Sequence, residues 1–143
     1  MKKHGYIRLL VCALLIGLAA ASAHAQSAMK VNVPFDFTVG DKTLQAGQYS
    51  VEQALPQANP NALRIRKIES NGQTLSLGIG MESPANVKPA RLVFRKYGNH
   101  YFLAQVWLSA GNSGTEIRKG SLERELARGG SMVEETTILA ELR

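Results

Sequence analysis

The chain has almost no cysteine: Cys12 is the only one in 143 residues. It lies inside an apolar N-terminal run, so removal of that run leaves neither a disulfide nor a thiolate metal site. Histidine is nearly as scarce. Of His4, His24 and His100, only His100 lies beyond the first 25 positions. One imidazole without cysteine makes no zinc ligand set, so neither a metal nor another cofactor is expected. No GxSxG segment is present, which deprives a serine hydrolase of its nucleophile turn. Internal repeats, low-complexity tracts and a second-domain linker are also missing. Stability must therefore come from packing alone.

What is present begins with a leader. Lys2, Lys3 and Arg8 precede an uncharged stretch from Leu9 to Ala21, and Ala23-His24-Ala25 offers small residues where a signal peptidase reads. The run falls short of the roughly 20 apolar residues of a spanning helix. Cleavage before Gln26 is expected, giving a signal peptide over 1–25 and one exported domain over 26–143. Cys12 comes too early in the run to be a lipoprotein anchor. Three of the 17 basic residues leave with the leader, so 14 face 11 acidic ones and the net charge falls from +6 to +3. That mild excess implies no nucleic-acid partner. The destination is the periplasm or the outside of the cell.

The mature chain opens on strict alternation. Val31, Val33, Phe35, Phe37 and Val39 share one parity; Lys30, Asn32, Pro34, Asp36 and Thr38 take the other. Period two predicts a strand with one dry and one wet face. Pro34 lacks an N–H, so the strand belongs at an edge or carries a bulge. Gly40-Asp41-Lys42 turns the chain into a second strand, from about Leu44 to Gln53, which Ala46-Gly47 interrupts. Residues 54–62, with Pro56 and Pro60, read as a loop.

Two hairpins follow. Leu63–Glu69 and Gln73–Met81 flank Asn71-Gly72, a strong signal for a tight turn. A two-residue turn sets Arg66 against Leu77 and Arg64 against Ile79, which puts arginines on the apolar face. One extra residue near Arg66-Lys67 restores Ile65 opposite Leu77, so a β-bulge is predicted there. The second hairpin joins Ala90–Tyr97 to His100–Ser109 through Gly98-Asn99, with Phe94 opposite Leu103 and Leu92 opposite Gln105. Its two faces are both partly apolar, which calls for cover on both sides.

A loop is read over Ala110 to Thr115. Ser121 is the expected N-cap of a short helix over Leu122–Arg128, closed by Gly129-Gly130, with Leu122 and Leu126 on the docking face. A last strand is expected over about Val133–Leu142. The whole reads as all-β: a single antiparallel β-sandwich or small barrel of about seven or eight strands with one short C-terminal helix. An outer-membrane barrel is disfavoured, because the strands are short and lack aromatic girdles.

Val33-Pro34-Phe35-Asp36-Phe37 with Val39-Gly40, followed by Leu44-Gln45-Ala46-Gly47-Gln48-Tyr49, resembles the "VPFxFxVG…LPAGxYxV" opening of a family of small secreted bacterial β proteins. Leu92–Gly98 with Tyr101, Phe102, Leu103 and Trp107 resembles that family's central hairpin, and Glu123–Ala127 its charged C-terminal segment. Gln45 stands where the pattern has proline. The family has no assigned activity, so the resemblance implies an exported β protein and transfers no site residues.

Candidate chemistry is sparse. His100 sits beside a turn with no acid or nucleophile at a telling spacing. Glu123 and Glu125, or Glu134 and Glu135, are neighbours that cannot face each other across a substrate. No catalytic residue and no metal ligand is assigned, and an enzyme is the least favoured class. The remaining feature is basic. Arg64, Arg66, Lys67, Arg91, Arg95 and Lys96, with Tyr97 and Tyr101, form a stripe if the two hairpins are neighbours. Long basic side chains lying over apolar neighbours give the same pattern without function. The sequence thus points to an exported, non-catalytic binding or envelope-associated domain. Its partner would be an anionic polysaccharide, lipid headgroups or an envelope protein. The alternative is a lipocalin-like carrier of an apolar small molecule.

Overall fold

A computed structural model describes residues 28–83 and 89–141; the leader expected over 1–25 lies outside them. The alternation at the mature start becomes burial of one parity: Val31, Val33, Phe37 and Val39 are buried, while Lys30 and Asn32 are exposed. Pro34 interrupts the ladder, so the expected single strand is two, β1 (Met29–Val33) and β2 (Phe37–Val39). The break lets the chain cross the fold. β1 pairs with β4 (Gly47–Leu55), whereas β2 pairs with β3 (Lys42–Leu44) and touches β8 (His100–Trp107) in parallel at Thr38–Phe102. Asp36 fixes the crossing by accepting the Ala46 amide hydrogen bond at 2.8 Å. Phe35 stacks on Tyr101 with ring centroids 3.8 Å apart.

The remaining strands are β5 (Asn59–Lys67), β6 (Gln73–Glu82), β7 (Arg91–Tyr97), β9 (Ser113–Ile117) and β10 (Val133–Leu139); α1 (Ser121–Arg128) is the helix. Among the described residues ten strands form one connected sheet, more than the seven or eight expected, and the fold is all-β. Its order is β1-β4-β5-β6-β9-β8, where the path forks. One branch runs to β2-β3, the other to β7-β10. The sheet is open but curled: the Glu141 amide donates to the Lys30 carbonyl at 2.8 Å, so its two margins touch at that bond. Inside the curl, Phe37 packs edge-on against Tyr49 and Phe94 at 5.2 and 5.3 Å. Each such fully buried ring contributes about 1.5–3 kcal/mol over exposure. These rings pack the centre of the curl, and a hollow of about 550 Å³ remains among Gln53, Asn61, Gly80, Val106 and Thr115.

Several local expectations are corrected. The predicted bulge near Arg66-Lys67 is absent. β5 and β6 run in regular register from Arg66–Gln73 to Ala62–Leu77, and neither Asn71 nor Gly72 has positive φ. The connection is a longer turn, in which the Lys67 amide donates to the Gly72 carbonyl at 3.3 Å. Register shifts lie instead between Gln53 and Leu55 in the β4–β5 pair and after Val93 in the β7–β8 hairpin, so Leu92 faces Val106 rather than Gln105. The Gly98-Asn99 turn stands as expected, with Gly98 at φ +59° and Tyr97 paired to His100.

The loop expected over 54–62 shrinks, because β4 and β5 extend into it and carry Pro60 on an exposed position. Part of the loop read over Ala110–Thr115 is strand β9. There, Gly114 lets the Trp107 ring lie on the backbone: a Cβ would stand 2.7 Å from it.

Helix α1 docks on the β7 end of the hairpin through Glu123, which meets Arg95 and Tyr97. Gly120, not Ser121, is the N-cap, and it passes so close to Gly40 that any Cβ would collide with that residue's carbonyl. Asp41, in the turn between β2 and β3, accepts the Ser121 amide hydrogen bond at 2.6 Å. The cap thus comes from a distant turn. The docked residue is Glu123, only 2% exposed, while Leu122 stays 43% exposed.

Candidate functional site

The basic stripe is divided by the fold. β9 and β8 stand between the β5–β6 hairpin and β7, so Arg64, Arg66 and Lys67 do not join Arg91, Arg95 and Lys96. Most of these cations already have partners. Arg64 pairs with Glu52 at 2.9 Å, Lys96 with Glu134 at 3.6 Å, and Arg95 with Glu116 at 3.7 Å and Glu123 at 2.5 Å. Arg91 is buried with its guanidinium 4.3 Å from the centre of the Trp107 ring. The stem of Lys67 lies against Gly47. Tyr97 is buried, and Tyr101 packs on Phe35. Arg66 remains exposed.

Arg95, Tyr97 and Glu123 do converge. The Tyr97 hydroxyl donates to the Glu123 carboxylate at 3.5 Å, and Arg95 also donates to the Ile117 carbonyl at 3.5 Å. A carboxylate taken out of water needs this many donors. The cluster clamps α1 to the sheet.

His100 is exposed and lies 6.5 Å, ring to ring, from Phe102. Among the described residues no group of three His, Cys, Asp or Glu side chains could hold a metal ion. No described helix is long and apolar enough to cross a membrane.

The feature that sequence reasoning missed is on β6. Gln73-Thr74-Leu75-Ser76-Leu77-Gly78-Ile79-Gly80 alternates, and the apolar parity would ordinarily face inward. Here it faces out. Leu75 and Leu77 are each 66% exposed, Ile79 is 51% exposed, and Leu55 at the end of β4 is 55% exposed. The inward parity is Thr74, Ser76, Gly78 and Gly80. Gly78 shows why: a Cβ there would run into the Thr115 methyl and the Glu116 backbone. Only the small parity fits against β9, so the leucines are turned to solvent. The signal in the sequence was that pair of glycines at one parity, which marks close approach of another backbone.

Two hollows border this face. One, of about 370 Å³, lies among Ala54, Leu55, Ala62, Leu75 and Leu77, with Arg64 at its edge. The other, of about 760 Å³, is a groove between Gln73–Leu77 of β6 and Val39–Lys42 of the β2–β3 turn. In that groove Asp41 is held below its usual carboxyl range, chiefly by the Ser121 backbone amide. Lys42 reaches across to the Gln73 carbonyl at 3.4 Å. No protein-family model, curated protein or solved structure matches the chain.

Proposed function

We propose that this chain is an exported, non-catalytic binding domain that meets another protein through the outer face of β5 and β6. One observation carries the reading: Leu55, Leu75, Leu77 and Ile79 form a face of large apolar side chains, each more than half exposed. Scattered exposed leucines need no explanation, but a contiguous patch on a sheet is a feature of interaction surfaces. Arg66 and Lys42 border it without a carboxylate partner among the described residues, which suits an apolar centre ringed by acidic groups. An anionic polymer or lipid surface would need several free cations together, and Arg64, Arg95 and Lys96 are engaged by carboxylates. The hollow of about 550 Å³ has polar groups in its lining, Gln53, Asn61, Glu82 and Thr115 among them, which suits a carrier of an apolar molecule poorly. Export rests on the leader pattern and on the resemblance of the opening segment to secreted β proteins.

The test is photo-crosslinking in the native cell, with benzoylphenylalanine in place of Leu77 and, as a control, of Leu139. A protein adduct from position 77 that position 139 does not give is expected. Lipid or polysaccharide adducts, or none from position 77, would overturn the reading.

A further inference from the structure

The groove beside the apolar face has a second property, in its backbone. β6 is paired on one side with β5 along Gln73–Leu77, but on its other side β9 reaches only Gly78–Glu82. Among the described residues, Gln73–Leu77 therefore have no strand on the side turned to the groove. The Gln73 carbonyl points there, since Lys42 donates to it. Backbone groups in a strand alternate in direction with period two, so those of Leu75 and Leu77 point the same way. Opposite them stands the turn from Val39 to Lys42, and β3, which begins at Lys42, has among the described residues only β2 as a strand partner. No strand pairing joins the two sides among the described residues, and the Lys42 side chain reaches across the groove to make its one hydrogen bond.

Resting on the protein-contact reading, we propose that this groove takes an extended segment of the partner as an added β-strand along the Gln73–Leu77 edge of β6. Main-chain hydrogen bonds to Leu75 and Leu77, and to Gln73 once Lys42 turns from its carbonyl to the incoming segment, supply the affinity, as in other cases of strand addition. The segment alternates apolar and acidic residues. Its apolar side chains lie beside Leu75 and Leu77 on the outer face. An acidic one meets Lys42: the ionised Asp41 beside it is turned to the Ser121 amide, and exposed Arg66, paired with Gln73, adds a second cation without a carboxylate partner among the described residues. An open edge left unused is a hazard that proteins cover or charge. Here it carries one lysine and two exposed leucines, which attract a strand of opposite charge rather than repel every strand.

The probe is a synthetic peptide of alternating valine and glutamate, measured against the whole mature chain by fluorescence anisotropy and by hydrogen exchange. The expected result is binding with slowed exchange at the amides of Leu75 and Leu77 and no change at Leu139. N-methylation of alternate peptide amides should weaken binding about tenfold or more, since it removes hydrogen bonds while keeping the side chains. Lys42→Glu should weaken the glutamate peptide and strengthen one with lysine in its place. No binding, no protection on β6, or equal binding of the N-methylated peptide would overturn strand addition. A protein adduct from position 77 would survive those outcomes, so failure of strand addition is distinct from failure of the protein contact.

Discussion

Glu123→Leu removes the carboxylate that anchors α1, and the structure sets the size of the effect. Glu123 is 2% exposed and receives Arg95 at 2.5 Å, with the Tyr97 hydroxyl at 3.5 Å. Breaking a buried pair by removing one partner costs about 3–5 kcal/mol, because the remaining charge is stranded. Arg95 is not wholly stranded. Its side chain keeps 13% exposure, a contact to Glu116 at 3.7 Å and the Ile117 carbonyl at 3.5 Å. The expected loss is therefore smaller, about 2–3 kcal/mol. In a domain of this size that is a fall in Tm of roughly 8–12 °C. The assay is urea unfolding followed by circular dichroism, run as a cycle with Arg95→Met and the double variant. The double variant should recover most of the loss, since an apolar pair of similar volume replaces a buried ion pair at little cost. A single-variant loss below about 0.5 kcal/mol, or strictly additive singles, would refute the argument that Glu123 and Arg95 act as a clamp.

The other expectations test the outward turn of β6 and the trans cap. Leu75→Ser and Leu77→Ser should each change stability by no more than about 0.5 kcal/mol, as exposed positions do. Leu63→Ala, on the buried side of β5, should cost about 2–5 kcal/mol in the same urea titration. Gly78→Ala should destabilise by about 1–3 kcal/mol or prevent folding, because its Cβ has no room beside Thr115 and the Glu116 backbone; a neutral result would mean β6 is turned the other way. Asp41 has a folded pKa below its ordinary 3.8 because its carboxylate accepts the Ser121 amide. The folded state thus holds this proton less tightly than the unfolded chain. Its contribution is complete above 3.8 and is lost as pH falls through the lower folded value. Asp41→Asn should flatten that acid limb of the stability–pH curve, and an unchanged limb would remove Asp41 as the cap.

Much of the architecture was legible because it depends on neighbours in the chain. The alternation from Val31 to Val39 set the buried parity, and Gly98 with φ +59° set the turn between β7 and β8. The helix was legible in extent but only partly in its docking face. Of the two expected anchors Leu126 is half-buried and Leu122 is exposed, while Glu123 is buried, since its partner Arg95 lies 28 positions away on another element. No local pattern encodes such a pair. The basic stripe failed as a single surface for the same reason: whether two hairpins are neighbours depends on which strand comes between them. The candidate site was missed because arginines opposite apolar residues looked like an error of register; the structure takes another register, with Arg64 opposite Leu75 on the outer face and Arg66 opposite Gln73.

The sequence by itself determined that β6 has two unlike faces, one apolar and one small, because side chains of a strand alternate whatever surrounds it. It also determined which residues share each face. Only the tertiary structure decided which face points inward. That choice depends on how near β9 comes to Gly78, and on the filling of the interior by Phe37, Tyr49 and Phe94 from other strands. Periodicity names the members of a face, and steric fit against distant segments settles its direction.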